Sequence, residues 1–313
     1  MKYISSLREG DVVREIYLCK GKRSAETRNG KPFDNLILQD MTGSLDGKVW
    51  DPNSHGIADY SEKDFIDVVG EVINYNNQLQ LNIKQIRVAG ADEYKTADYM
   101  PTSEKSVDSM YEELLGYIGT IENSYLRQIA EYYYVKNDAF VEVFKEHSAA
   151  KSVHHGFAGG LLEHTLSIVK MCEYFAAMYP ILNRDLLYTA AMYHDIGKIK
   201  ELSKFPDNDY TDVGQLLGHI IIGIEMAGEA IRSTEGFPPV LADELKHCIA
   251  AHHGELEYGS PKKPALAEAL ALNLADNADS KMQTLTEIFK SKDSKEWLGY
   301  NRLFESNLRK TSI

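Results

Sequence analysis

The sequence predicts a two-domain protein, an N-terminal all-β barrel followed by an all-α helical bundle, because its hydrophobic period changes once along the chain. Residues 10 to 90 hold short runs of alternating polarity between turn signals. From residue 106 onward, apolar side chains recur three and four positions apart, and residues 91 to 105 show neither pattern. A chain of 313 residues with 43% apolar content is long enough to build two cores.

The β part divides into DVVREIYLCK, FDNLILQD, the turn MTGS leading into LDGKVW, FIDVVGEVINY, and, after the turn NN, QLQLNIKQI. In the last run Leu79, Leu81 and Ile83 alternate with Gln78, Gln80 and Asn82, as in a strand with one wet face, and Ile86 extends the apolar set. Five strands within about 80 residues fit an OB-fold over residues 1–90, whose common use is to bind single-stranded nucleic acid. The fold by itself does not establish that use.

The net charge of -13 counts against a phosphate-binding protein until its distribution is considered. Residues 1 to 90 carry 12 Lys and Arg against 13 Asp and Glu, so the acidity lies in the later part. Lys20, Lys22, Arg23, Arg28 and Lys31 crowd one stretch whose only acid is Glu26, forming either a basic patch or a solvated loop tip. Phe33, Trp50 and Tyr75 are candidate base-stacking residues, and period-two alternation puts Lys48 on the face of Trp50. The competing assignment for each aromatic is the barrel core.

Residues 91–105 read as a linker and residues 106–313 as helix. Met110, Leu114, Leu115 and Ile118 form a core stripe, as do Leu126, Ile129 and Tyr133, then Phe140, Val143 and Phe144. The polar stretch from about Thr284 onward also reads as helix. No apolar run approaches the roughly 18 residues of a membrane span, and the N-terminus lacks the apolar centre of a signal peptide, so a cytoplasmic protein is expected. Cys19, Cys172 and Cys248 form no CxxC pair, which suggests neither a disulfide framework nor a thiolate site.

Histidine and aspartate supply the strongest chemical signal. The run DLLYTAAMYHD puts His194 on the stripe of Leu187 and Ala190 or Ala191, so it should be buried, with Asp195 beside it. His164, His219, the pair His252 and His253, and Asp276 also lie in apolar helical runs. A lone buried histidine is ordinary, but this many buried polar side chains need partners, and divalent metal ions would satisfy them together. Seven ligands exceed one tetrahedral shell, so two ions with Asp195 as the bridge are expected. Imidazole and carboxylate without thiolate favour Mn, Fe, Co, Ni or Zn, and Mg remains open for sites richer in oxygen. Two such ions carry +4 against two carboxylates, a local positive charge suited to a phosphate substrate.

The order His164, His194-Asp195, His219, His252-His253, Asp276 resembles the HD superfamily of metal-dependent phosphohydrolases in its binuclear form. The segments HHGFAGGLLEHTLSIV, YHDIGKIKEL and LNLADNADSKM, preceded by an OB-type domain, look like the YhaM family of 3'-to-5' exoribonucleases over nearly the whole chain. That resemblance implies a helical HD domain that removes nucleotides from single-stranded RNA, and often DNA, with manganese or a similar ion. It implies His164, His194, Asp195 and Asp276 as ligands of one ion, and Asp195, His219, His252 and His253 as ligands of the other. Asp195 and Lys198 are the expected catalytic residues, Lys198 matching a lysine that contacts substrate phosphate in related enzymes, against a surface lysine at a helix end as the plain alternative. His154 and His155 match the family's motif and are candidate substrate contacts or packing residues. The expected reaction is hydrolysis of the terminal phosphodiester, with nucleoside 5'-monophosphate released.

Two rival activities share the ligands. A cyclic-dinucleotide phosphodiesterase of the HD-GYP type would carry GYP after the histidine pair, where this chain reads HHGELEYGSP. A nucleotide triphosphohydrolase would leave the OB-like domain without a purpose. Expected partners are single-stranded RNA or DNA and no membrane, and a homo-oligomer is compatible with the sequence.

Overall fold

The structure is a computed structural model that describes all residues except 28, 77, 101–104, 151–155, 292–293 and 313. Arg28, His154 and His155, singled out above, lie outside the described residues. The chain forms two compact units, one of Met1–Ser103 with Lys204–Asn208, the other of Glu104–Ser203 with Asp209–Ile313.

In the first unit β1 (Val12–Glu26), β2 (Pro32–Asp40), β3 (Gly43–Val49), β4 (Phe65–Tyr75) and β5 (Gln78–Val88) close a barrel in the order β1-β2-β3-β5-β4. All neighbours are antiparallel except β3 and β5, giving the five-stranded crossover barrel of an OB-fold. β1 is longer than its polarity suggests. It pairs with β4 over Val12–Leu18 and with β2 over Leu18–Glu26, bending at a register shift between Cys19 and Gly21. The basic stretch therefore runs along a strand as far as Glu26 rather than forming a loop tip, because β2 supplies main-chain partners that side-chain polarity does not reveal.

A second register shift explains the apolar spacing of β5. Val69 pairs with Gln85 but Gly70 with Ile83, so Lys84 is the extra residue, and Ile83 and Ile86 both point inward although they are three apart. Gly70 is required at this bulge, since a Cβ there would lie 2.5 Å from the Asn82 carbonyl oxygen.

The expected linker 91–105 is structured over its first part. Tyr94 stacks on Phe65 with ring centroids 3.9 Å apart, Tyr99 meets Phe65 edge-on at 4.9 Å, and the Gln39 side chain donates to the Tyr99 carbonyl at 3.0 Å. Aromatic burial fixes these residues despite their lack of periodicity. Phe205, from the segment Lys204–Asn208, packs against the same cluster of Leu18, Phe65, Ala89 and Tyr99, and Asp207 pairs with Lys63 at 3.1 Å.

The second unit contains α1 (Val107–Gly119), α2 (Ser124–Tyr134), α3 (Asp138–Glu146), α4 (Gly160–Met178), α5 (Arg184–Tyr193), α6 (Lys198–Glu201), α7 (Asp212–Arg232), α8 (Pro239–Ala251) and α9 (Ala267–Ser291). Side chains of Ser106, Asn123, Asn137, Asn183 and Thr211 accept first-turn N–H groups at five of the N-termini. α5 is buried from Leu186 to Tyr193, so every neighbour can present side chains around its C-terminal end. The C-terminal stretch departs from the helical expectation. α9 ends at Ser291, and a short hairpin follows, β6 (Tyr300–Asn301) pairing with β7 (Ser306–Asn307). Among the described residues no helix is long and apolar enough to cross a membrane.

Candidate metal centre

Six elements of the helical unit converge on one buried point. His164 projects from α4 and Asp276 from α9; His194 and Asp195 follow the end of α5, and His252 and His253 follow the end of α8. His219 lies on α7 one residue after a break at Gly218, whose φ of 71° is a left-handed conformation that glycine adopts without strain. α6 contributes Lys198 and Glu201.

The ligand atoms form two groups. Those of His164, His194 and Asp276 lie within 4.8 Å of one another, as do those of His219, His252 and His253. Asp195 stands between them. Its Oδ2 is 3.3 Å from His164 Nε2 and 3.4 Å from His194 Nε2, whereas its Oδ1 is 3.5 Å from His219 Nε2 and 3.8 Å from His252 Nε2. One carboxylate thus turns one oxygen toward each group.

The far side of each ring decides which nitrogen faces inward. Nδ1 of His194, His252 and His253 meets the carbonyl oxygens of Ala191, Ile249 and Tyr258 at 2.7, 2.7 and 2.8 Å. A carbonyl only accepts, so Nδ1 carries the proton and Nε2 keeps its lone pair. His164 and His219 use carboxylates instead, Nδ1 meeting Asp279 at 2.8 Å and Glu201 at 3.0 Å. All five imidazoles therefore aim Nε2 at the centre.

That convergence fits a divalent metal. Asp195 Oδ1, His219 Nε2 and His252 Nε2 are buried and make no hydrogen bond among the described residues. Each such atom costs about 1–3 kcal/mol if unmatched. Lone pairs facing one another repel, whereas a cation between them takes each as a ligand.

The charges around the point are strongly shifted. Burial alone would raise the Asp195 carboxyl, but the Lys198 ammonium, His194 and His164 hold it well below the usual range. Burial opposes protonation of His164, yet Asp195, Asp276 and Asp279 raise its pKa well above normal. Burial, with His194 and His253 nearby, depresses His252 and keeps it neutral. Lys198, with Nζ 2.7 Å from Asp195 Oδ2, stays an ammonium because Asp195, Asp276 and Glu201 outweigh the cost of its burial.

Glu201 and Asp279 were not singled out from sequence. Asp279 lies three residues after Asp276, so helical spacing alone puts both on one face of α9. Ser167 donates to the second oxygen of Asp279. Counting Asp279 and Glu201 behind their rings together with Asp195 and Asp276, the carboxylates carry −4, not the −2 the sequence suggests, a charge that two divalent ions would balance. Lys198 is then the local excess of positive charge.

On the barrel, the register sorts the expected nucleic-acid contacts. Arg23 pairs with Asn35 and Asn35 with Lys48, so the three form one row across the outer face, with Phe33 two residues from Asn35 and Trp50 two from Lys48. Lys48 Nζ lies 3.9 Å from the Phe33 ring centroid and 4.4 Å from that of Trp50, and the two rings are 5.8 Å apart. Trp50 is 51% exposed, so it does not fill the core; the adjacent Val49 does. Tyr75 is exposed at the end of β4. Lys20 and Lys31 are exposed as well. Lys22 departs from the expected patch. It pairs with Leu36 on the inner side, where its Nζ donates to the Tyr60 carbonyl at 2.8 Å and lies 3.6 Å from the buried Asp34.

A family model described as "HD domain" matches residues 161–281, the span from α4 to α9 that carries all seven converging ligands. The 3'-5' exoribonuclease YhaM of Geobacillus sp. (strain WCH70) is 36% identical to this chain over 279 residues, covering 88% of this chain and 84% of that protein. YhaM of Bacillus subtilis (strain 168) is 34% identical over 280 residues, covering 88% and 87%. The solved second OB-fold domain of replication protein A from Methanococcus maripaludis is 22% identical, covers 29% of this chain and 94% of its own, and has a TM-score of 0.21; the barrel assignment rests on strand order instead. Identity at this level over nearly nine-tenths of the chain makes this protein a member of the YhaM 3'-5' exoribonuclease family.

Proposed function

We propose that the protein is a metal-dependent hydrolase that shortens single-stranded RNA from its 3' end, and single-stranded DNA more slowly, releasing nucleoside 5'-monophosphates. The observation that carries this reading is the Asp195 carboxylate, with one oxygen toward each of two imidazole groups. His164, His194 and Asp276 would hold one ion and His219, His252 and His253 the other, with Asp195 shared. When bound, two divalent ions supply a water of lowered pKa and positive charge at the attacked phosphoryl group. Nitrogen and oxygen donors without thiolate accommodate Mn, Fe, Co, Ni, Zn or Mg, and the resemblance to manganese-using relatives puts Mn first.

The chain's own groups account for the rest. The carbonyl and carboxylate partners of the five Nδ1 atoms fix the rings before substrate arrives, so little reorganisation is needed during reaction. Lys198 offers its ammonium to the non-bridging phosphate oxygens. Phe33 and Trp50 offer faces to bases upstream of the 3' end, with Lys48 and Arg23 toward the backbone. Cys19, Cys172 and Cys248 are free and buried, which favours a reducing compartment, the cytoplasm.

RNA labelled at its 3' end should release labelled mononucleotide from the first turnovers in Mn²⁺, and 5'-labelled RNA should give a descending ladder. Turnover of a cyclic dinucleotide or a deoxynucleoside triphosphate with RNA left intact would overturn the proposal. Lys198→Ala should slow cleavage by about 10- to 1,000-fold with metal content retained, as for loss of one electrostatic donor; unchanged kinetics would remove the phosphate-contact role and leave Lys198 as the ion-pair partner of Asp195. The double variant Phe33→Ala/Trp50→Ala should raise KM for long RNA by about 10-fold or more, because stacking contributes about 1–3 kcal/mol per base. Hydrolysis of bis(p-nitrophenyl) phosphate should not change, since the lost contacts lie far from the reacting phosphorus. An unaltered KM for RNA would remove the strand-holding role.

A further inference from the structure

We propose that Glu201 is a positioning residue that sets the His219 ring and thereby the affinity of one ion position, that of His219, His252 and His253, without setting the other. The inference rests on the two-ion reading above. It starts from the break in α7. At Gly218 the backbone turns to φ 71° and ψ 159°, so the next N–H loses the regular helical carbonyl acceptor. Glu201 takes its place. One oxygen of Glu201, Oε1, accepts from the His219 backbone N–H at 2.9 Å and from His219 Nδ1 at 3.0 Å. A single carboxylate oxygen therefore ties both the main chain and the ring of this residue.

The main chain of Glu201 is held in turn. Its carbonyl accepts from Thr211 N at 2.9 Å, Thr211 Oγ1 donates to the Lys200 carbonyl at 2.7 Å, and Thr211 caps α7 through Gly214 N at 3.0 Å. Gly214 lies so close that a Cβ there would fall 2.2 Å from the Glu201 carbonyl oxygen. The first turn of α7 thus fixes where Glu201 starts, and its side chain reaches forward to the break. The two other imidazoles of this group are oriented by backbone carbonyls, from Ile249 and Tyr258, so Glu201 is the carboxylate that orients a ring in this group. A carboxylate behind a ligating imidazole fixes its tautomer and raises its basicity, and loss of such a partner typically weakens metal binding 10- to 100-fold.

The test measures Mn²⁺ binding to the full-length protein by the electron paramagnetic resonance signal of free Mn²⁺, for wild type, Glu201→Ala and Glu201→Gln. Wild type should bind two ions. Glu201→Ala should keep one at wild-type affinity and bind the second about 10- to 100-fold more weakly. Glu201→Gln, which retains an acceptor oxygen for both N–H groups but lacks the charge that raises the basicity of the ring, should recover only part of that loss. RNA hydrolysis by Glu201→Ala should need more Mn²⁺ and reach the wild-type kcat at saturation, a split that general loosening of the fold would not give. Two wild-type affinities in Glu201→Ala would overturn the inference and leave the two-ion reading standing; equal weakening of both positions would also overturn it. Wild type binding fewer than two ions would overturn both. If Glu201→Ala does not fold, Glu201→Gln decides: selective weakening of one position supports the inference, and wild-type binding at both overturns it.

Discussion

Asp195→Ala should abolish RNA hydrolysis and lower the metal bound per chain, while the protein stays folded by circular dichroism. Its two oxygens face different imidazole groups, at 3.3 and 3.4 Å on one side and 3.5 and 3.8 Å on the other. No other described carboxylate stands between the groups, since Asp276 meets His164 and Glu201 meets the far side of His219. Removing the bridge leaves two cations to repel each other at short range without a shared anion. The loss of transition-state charge stabilisation amounts to several kcal/mol, about 10³-fold or more in rate. Metal analysis and turnover on the variant decide the point. Near-normal hydrolysis would sink the binuclear proposal whatever the metal content.

Gly197→Ala should be nearly as damaging, although Gly197 binds nothing. Its φ of −64° is open to any residue, so the requirement is steric. A Cβ there would lie 2.1 Å from the His219 carbonyl oxygen and 2.7 Å from Gly223 N, both of them backbone atoms that cannot step aside alone. α6 and α7 would have to separate, displacing Lys198, Glu201 and His219 together. A shift of about 1 Å at such a site costs about 100-fold in activity, and forced overpacking costs about 1–3 kcal/mol in stability or more. Gly223→Ala is the matched control. Its Cβ would meet neighbours at 3.6–3.7 Å, ordinary contact, and alanine gains about 1 kcal/mol in helix propensity. Equal stability and activity of the two variants would remove the close-approach explanation.

The convergence of these side chains was legible in the sequence because burial and chemistry conflict there. Imidazoles and carboxylates in apolar helical runs need partners, and the expected stripe of Leu187, Ala190, Ala191 and His194 is buried. The barrel was legible from alternation. What alternation could not show was where strands pair: β1 continues through the basic stretch because β2 lies beside it, and the extra residue Lys84 in β5 depends on its partner β4. Lys22 turned out to face Asp34 and Tyr60 because successive residues of a strand point to opposite sides, which sends Lys22 inward and the adjacent Arg23 outward. The break at Gly218 is hidden within QLLGHIIIG, which reads as unbroken helix, so the role of Glu201 could not be seen before the fold. Asp279 could have been, from its spacing to Asp276.

The segment Lys204–Asn208 bears on how such a protein can be inherited. Five residues flanked on both sides by sequence of the helical unit belong to the compact unit of the barrel, where Phe205 shares a cluster with Leu18, Phe65, Ala89 and Tyr99. Recombination that joined a foreign barrel at residue 103 would import four of those partners and leave the fifth behind, with an apolar ring unmatched on one product and a gap on the other. The helical half is therefore not a freely exchangeable cassette. Substitutions at Phe205 and at its partners, about 100 or more positions away in the chain, should be tolerated in compensating pairs more readily than singly.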